Sequence, residues 1–420
     1  MNQPNTVSTP ADEYDYLIVG GGMVADNAAK AIQEIDPNGS IGVISSDPDE
    51  PVTRPALTKK LWTDPDFEFE QVWLKTVEQT GAQLITGQAV TAVDPDDHRV
   101  RVGERSVGYR KLLLATGGEP TRLELPEDDR IIYFRSVDDY RRLRDLAGKD
   151  DNGKPRRIAV VGGGYIGTEL AAGLTRNDTE VIMIFPQPLV YGEQFPEDLA
   201  EHLTKLYREH GVELRARTKI TGGTAEPSRI RLVTDSGDEI DADAVVVGLG
   251  ITPRTELAEK AGLAVEDGVI VDEYLTTSDP DILAAGDIAS YPDPILGRQR
   301  VEHVDNANAM GVQAGRNLAG AHEPYDHTPY FYSELFGNRY EAVGTLDASA
   351  NLVQHWADDD TGGENGQRRG VVYYLDDHGG VAGVLLWNVN EQTDRAREVI
   401  KKSREDKLGR EQLINAIPVD

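Results

Sequence analysis

The sequence predicts an α/β protein of two doubly wound units followed by an α+β region, and three observations carry that prediction. Two apolar runs, Tyr14–Val19 and Ile158–Val161, each break on a glycine triplet and pass into a helix-like stretch. Each stretch returns in a second apolar run, Ile41–Ser45 and Glu180–Phe185, within about thirty residues, the span of a βαβ opening. Beyond His322 the pattern changes to short alternating segments that read as antiparallel strands.

Taken in order, Met1–Asp12 is polar and rich in Pro, Asn and Thr, without the apolar core of a secretory signal or the Arg-rich character of a transit peptide. Residues 1–13 are therefore expected to be a disordered lead-in, and the default location is the cytoplasm. The strand from Tyr14 leads to a helix near Met23–Ile35. Lys111–Gly118 is a second buried strand that ends in glycines, and Gly148–Arg157 is a polar loop into the second βαβ unit. There, helix Tyr165–Thr175 connects the two strands, and Ala242–Gly250 reads as the closing strand. Asp281–Asp287 is an apolar strand ending in Gly-Asp, followed by a helix over Asp305–Leu318. Tyr340–Leu346 and Leu352–Ala357 alternate as antiparallel strands do, and Val371–Leu375 and Val381–Trp387 flank a hairpin signal at Asp376–Gly380. Asp358–Gly366 is the one low-complexity patch, expected to be a mobile loop. Charged helices close the chain near Glu391–Arg404 and Arg410–Ala416.

Composition excludes several chemistries. At 420 residues the chain supports two or three well-buried domains. It contains no cysteine, which excludes a disulfide scaffold, a Cys-ligated metal or iron–sulfur centre and a thiolate nucleophile. No apolar run reaches the roughly 18 residues of a membrane span. With 73 acidic against 43 basic residues the net charge is −30, which disfavours nucleic acid as a partner. Acidic residues along the whole chain and scarce lysine point to a salt-rich cytoplasm.

The glycine turns are the chemical signal. In the first, Gly20 permits the tight bend, Gly22 close approach of a phosphate, and Ala25 close packing of helix on strand; in the second, Gly162, Gly164 and Gly167 complete the three-glycine fingerprint. A bare backbone and a helix N-terminus together receive a pyrophosphate. These are two Rossmann-like dinucleotide-binding domains, and a chain that holds two dinucleotides passes a hydride between them. An acid is expected about twenty residues on to hold the ribose. After the first turn stand Ser46 and Asp47. After the second stands Gln187, with no cation in that turn and Glu193 shortly after, which favours NADH over NADPH. Arg54 suits a pyrophosphate, and Lys59 suits negative charge developing on a reduced flavin.

The run Pro51–Trp62 resembles the FAD-dependent pyridine nucleotide reductases that act without a redox disulfide, a family that includes ferredoxin and rubredoxin reductases and, most similar here, apoptosis-inducing factor. Phe185–Gln187, Leu296–His303, Tyr340–Gly344 and Val384–Asn388 extend the likeness over nearly the whole chain from Tyr14. The resemblance implies FAD on the first turn and NAD on the second. It implies further FAD contacts at Val90, Thr116, Gly117, Arg135, Asp287, Glu302, His303 and Tyr332. Tyr165, Ile166, Gly248 and Glu341 would serve NAD, and Lys59 would pair with Glu169 beneath the flavin. Lys59, Glu169 and His303 are the candidate catalytic residues, and no metal is expected.

The domains implied are FAD-binding over 14–125 and 250–325, NAD-binding over 126–249, and C-terminal α+β over 326–420. The implied function is hydride transfer from NADH to FAD, then electron transfer to a ferredoxin- or rubredoxin-like iron–sulfur carrier, a quinone or another acceptor. A homodimer is compatible with it. The alternative is an NADH-responsive interaction flavoprotein of slow turnover.

Overall fold

The computed structural model describes residues 9–357 and 368–419; the expected mobile loop Asp358–Gly366 and the first eight residues of the lead-in lie outside them. The described residues form two compact units. One comprises residues up to Arg54, Glu68–Glu119 and Thr252–Pro329, the other Pro55–Phe67, Pro120–Ile251 and Tyr330 onward.

In the first unit the strand Glu13–Val19 runs parallel to Ile41–Ile44 on one side and to the long strand Arg105–Leu114 on the other. Gln83–Ile85 extends the sheet beyond Ile41–Ile44, and Ile282–Ala284 pairs in parallel with the end of Arg105–Leu114. Leu17, Ile18, Val43, Leu112 and Leu113 are fully or almost fully buried. Such continuous apolar runs are those of a parallel sheet covered on both faces. The helices Met23–Ile35 and Val304–Leu318 pack closely, because Gly311 and Gly315 let one backbone approach Val24 and Ala28 of the other. Residues 9–13 of the expected lead-in are tied down. Gln83 Nε2 donates to the Thr9 carbonyl at 2.8 Å, the Ala11 N–H donates to the Tyr14 hydroxyl at 2.8 Å, and the first strand begins at Glu13.

In the second unit, strands Ile131–Tyr133, Ala244–Val247, Arg157–Val161, Glu180–Ile184 and Glu213–Arg215 form a parallel sheet in that order. A three-stranded antiparallel sheet, Ile220–Glu226, Arg229–Thr234 and Glu239–Ala242, packs into the same core through Ile230, Leu232 and Ile240. The closing strand read as one run over Ala242–Gly250 is thus two elements. The chain changes sheet at Asp243, whose backbone N–H donates to the Arg157 carbonyl at 2.8 Å while its carboxylate accepts from the Arg157 N–H at 2.7 Å. Residues 330–387 build an antiparallel sheet in which Tyr330–Leu335, Asn338–Gly344, Val381–Trp387, Gly370–Leu375 and Asn351–Trp356 are neighbours in that order. Helix Thr393–Glu405 covers it with Ala396, Val399 and Ile400.

Candidate functional site

Each unit carries one glycine turn, and the two are built alike. Gly20 has φ +127°, and a Cβ there would collide with the Ala115 carbonyl; Gly162 has φ +124°, and a Cβ there would collide with the Gly248 carbonyl. Both positions demand glycine on two counts, the left-handed backbone and the close approach. Gly22 and Gly164 are the N-cap residues of Met23–Ile35 and Tyr165–Thr175, and neither helix has a side-chain cap. Their first N–H groups are thus presented at a bare backbone, the arrangement that accepts a phosphate anion. A Cβ on Gly164 would meet no atom within 4 Å, and one on Gly22 would lie 3.8 Å from Arg54 Nη2. A guanidinium beside an uncapped helix start fits a pyrophosphate in the first unit.

Around the first turn the structure gathers several of the expected FAD residues. Ala25 is fully buried. Thr116 Oγ1 donates to the Arg254 carbonyl at 2.8 Å, and the Gly117 carbonyl accepts from the Arg254 N–H at 2.9 Å. Gly286, with φ +80°, lies against Val24, so Asp287 is carried to the start of the first helix. Its carbonyl accepts from Arg300 Nη1 at 3.0 Å, and Arg300 also holds the exposed Glu302 at 2.6 Å and Asp267 at 3.0 Å. His303 is the N-cap of Val304–Leu318, its Nδ1 accepting from the Asp305 N–H at 3.3 Å. Val90 is buried at the start of Val90–Asp94.

At the end of Ile41–Ile44, Ser45 is the buried serine and lies against Gly21, whereas Ser46 is exposed. Asp47 uses Oδ1 to accept from the Asp49 N–H at 3.1 Å. Arg135, read as an FAD contact, falls in the second unit, where its N–H donates to Asp139 at 3.0 Å.

The second unit contains a buried polar cluster around Glu169. Glu169 is buried, and Lys59 Nζ lies 3.1 Å from its Oε1. Thr58 Oγ1 donates to Oε2 at 2.6 Å, and Ser333 Oγ donates to Oε1 at 2.7 Å. Lys59 also donates to the Tyr332 carbonyl at 3.3 Å and sits 4.2 Å above the Tyr332 ring. Tyr165 stacks on Phe331 at 6.3 Å and meets Tyr191 edge-on at 5.9 Å. Although 38% of Tyr165 remains exposed, burial of its hydroxyl end and then the Glu169 charge push the phenol up to about 12. Burial likewise drives the Tyr191 and Tyr340 phenols upward, and Tyr340 donates to Tyr191 Oη at 3.2 Å.

Gly167 packs on the Gly162 carbonyl, and Ile166 packs on Gly248. Glu341 is buried, with Oε1 bonded to Arg339 Nη2 at 2.8 Å and Oε2 without a hydrogen-bond partner among the described residues. A buried acceptor left open fits a ligand N–H donor. The carbonyl of Gln187 accepts from the Arg217 N–H at 3.1 Å. An exposed arginine therefore stands beside the strand end where no cation was legible in the local sequence. Thr58 and Ser333, on Glu169, and Arg339, on Glu341, are the site residues that motif reasoning did not single out. Among the described residues no group of three or more His, Asp or Glu could hold a metal ion, and no helix is long and apolar enough to cross a membrane.

Comparison with known proteins agrees with this geometry. The family model described as pyridine nucleotide-disulphide oxidoreductase matches residues 14–311. Apoptosis-inducing factor 1, mitochondrial, of Dictyostelium discoideum is 32% identical, over 94% of this chain and 79% of that protein. The ferredoxin–NAD(+) reductase component of the anthranilate 1,2-dioxygenase system of Burkholderia cepacia is 31% identical, over 92% of this chain and 93% of its own. Among solved structures, a chain of the covalent putidaredoxin reductase–putidaredoxin complex superposes with a TM-score of 0.81 at 26% identity, covering 94% of both chains. Two uncapped glycine turns, a family model spanning most of the chain and relatives above 30% identity lead to one assignment: this cysteine-free chain belongs to the pyridine nucleotide-disulphide oxidoreductase family.

Proposed function

We propose that the chain is an FAD-dependent NADH oxidoreductase that delivers electrons to an external acceptor, a small iron–sulfur carrier of the ferredoxin or rubredoxin type being the first candidate. The observation that carries the reading is the half-buried Lys59 held 3.1 Å from the buried Glu169, because a carboxylate taken out of water is tolerated only when paired, and the pair keeps an ammonium fixed inside the fold. When bound, FAD supplies the hydride-accepting and electron-donating chemistry. The protein's part is to hold and to charge. Gly20, Gly22 and Arg54 receive the FAD pyrophosphate, with Asp287 and Thr116 on its ribityl side. Gly162, Gly164 and Gly167 receive that of NADH, and Tyr165 and Glu341 orient the nicotinamide. Lys59 stabilises negative charge on the flavin, and His303 serves as a donor whose ring is fixed by its place at a helix start.

The reading divides the chain into an FAD domain of two segments, an NAD domain between them and a C-terminal domain, and it places the protein in the cytoplasm, where NADH is supplied. Two relatives bear on the acceptor, being named as a ferredoxin–NAD(+) reductase and as a reductase crystallised with its carrier. The test is anaerobic titration of the FAD-loaded protein with NADH, followed by stopped-flow reoxidation against a ferredoxin, a quinone and ferricyanide. Stoichiometric bleaching and fast reoxidation by one of them support the reading. A reduced flavin that outlives every acceptor, with NADH-dependent oligomerisation, selects an interaction protein instead.

A further inference from the structure

We propose that Thr58 and Ser333 are positioning residues that aim Lys59 by clamping Glu169, an inference that rests on the reading of Lys59 as the cation serving the flavin. Two dipeptides close on one carboxylate. Thr58-Lys59 brings a hydroxyl to Oε2 at 2.6 Å and an ammonium to Oε1 at 3.1 Å. Tyr332-Ser333 brings a hydroxyl to Oε1 at 2.7 Å and, through the Tyr332 carbonyl, an acceptor to Lys59 at 3.3 Å. Thr58, Glu169 and Ser333 are 7%, 7% and 0% exposed, so both hydroxyl–carboxylate bonds are buried and losing either hydroxyl leaves a desolvated carboxylate oxygen short of a donor.

The geometry of Lys59 follows from the clamp. An ammonium has three protons. Glu169 and the Tyr332 carbonyl take two of them, and the Tyr332 ring closes one side at 4.2 Å. The direction of the third proton is then fixed only while Glu169 stays in one rotamer. A lone buried carboxylate facing a flexible lysine would not hold it, since a side chain with four rotatable bonds pays entropy for every fixed geometry. The two hydroxyls supply the restraint. Being neutral, they fix the carboxylate without placing a second cation beside it, so the local charge stays that of the Lys59–Glu169 pair alone. Ser333 lies on the strand Tyr330–Leu335, so the C-terminal sheet takes part in holding Glu169.

The test compares Thr58→Val, Ser333→Ala, Thr58→Ser and Lys59→Gln in the FAD-loaded protein. It reads the flavin midpoint potential, the stopped-flow rate of flavin reduction, the NADH dissociation constant and thermal unfolding. A hydrogen bond to a charged group is worth enough to move an equilibrium by roughly tenfold or more. Thr58→Val and Ser333→Ala should therefore slow reduction about tenfold and lower the two-electron potential by about 30 mV per tenfold loss, with NADH affinity and FAD content retained. Thr58→Ser, which keeps the hydroxyl, should recover most of both. A potential and a rate unchanged in Thr58→Val, with Lys59→Gln shifting both, overturns the clamp alone. If Lys59→Gln shifts neither, it is the underlying reading of Lys59 that fails. Should Ser333→Ala not fold, the Thr58→Val and Thr58→Ser pair decides.

Discussion

Gly164→Ala separates the fold from the function more cleanly than any other single substitution. Gly164 has an ordinary backbone, φ −85°, and a Cβ built there meets nothing within 4 Å. The folded protein has room for the methyl, and the substitution removes conformational freedom from the unfolded chain, worth about 0.4–1 kcal/mol in the stabilising direction. Against this stands the loss of glycine's modest preference over alanine at an N-cap, also below about 1 kcal/mol. Stability should stay within about 1 kcal/mol of the parent, roughly 2–4 °C for domains of this size. On the proposed reading, the dinucleotide pyrophosphate lies against this turn. A methyl there forces the pyrophosphate off the helix N–H groups, and losing one or two charge-assisted hydrogen bonds costs about 1.5–3 kcal/mol each. The NADH dissociation constant should rise ten- to hundredfold or more. Gly167→Ala is the opposite control: its Cβ would strike the Gly162 carbonyl, so it should lose stability and binding together. Calorimetric unfolding and fluorescence titration with NADH decide between them. If Gly164→Ala binds NADH as tightly as the parent, or unfolds as early as Gly167→Ala, the pyrophosphate does not lie on that turn.

Three further perturbations have definite signs. Arg300→Ala removes the 3.0 Å bond to the Asp287 carbonyl and should weaken FAD binding about tenfold, measured as flavin fluorescence on dilution, because the turn that presents Asp287 loses one of its restraints. Arg217→Glu puts a negative charge beside Gln187 and should depress kcat/KM for NADPH at least severalfold more than for NADH; equal losses would show that Arg217 faces away from the ribose. The third concerns acid stability. The side-chain hydrogen bonds of Arg130 hold Asp128 down at about 2, below its ordinary 3.8. A depressed carboxylate contributes stability above its unfolded value and loses it as the pH falls through its folded one. Arg130→Gln should therefore cost stability at neutral pH, about 1 kcal/mol for a pair near the surface, and the cost should vanish between pH 4 and 2. A difference that persists at pH 2 would place the effect in packing.

The parts of this protein that were legible in the sequence are those whose physics is local. Gly20 and Gly162 announce themselves because a left-handed turn after an apolar run leaves glycine as the only comfortable residue. The flanking strands announce themselves because a parallel sheet covered on both faces needs unbroken apolar runs. Ser333 was invisible for the opposite reason. A serine between an aromatic run and a glutamate reads as an ordinary polar strand residue, and only the fold brings it to a carboxylate 164 residues earlier in the chain. Arg217 was missed because the residues beside a strand end come from the next parallel strand, Glu213–Arg215, which lies a whole helix further along. The ribose position after the first strand shows a finer limit. Ser45 and Ser46 are adjacent and chemically identical, and which one turns inward depends on a strand end that sequence periodicity locates only to within a residue or two.

Charge decides how such a protein meets its carrier. At a net charge of −30, an acidic ferredoxin approaching in dilute buffer meets net long-range repulsion. Many arginines at the surface are already committed to carboxylates, as Arg157 is to Glu180 and Glu213, and Arg231 to Glu226, Glu239 and Asp241. The helix Thr393–Glu405 is an exception, exposing Arg395, Lys401, Lys402 and Arg404 with only a few acids among them. Two regimes compete. Over distances beyond the screening length, about 10 Å at 0.1 M and about 3 Å at 1 M, the net charge governs; at contact, the local cations do. Encounter rates respond to long-range fields by ten- to a thousandfold. With NADH saturating, the second-order rate constant for reduction of an acidic [2Fe–2S] ferredoxin should thus rise about tenfold or more from 0.05 to 1 M KCl. The rate with uncharged quinone should stay flat. A carrier rate that instead falls with salt, and falls less in Lys401→Glu/Lys402→Glu, would show that the C-terminal helix outweighs the rest of the surface and that encounter is steered by attraction.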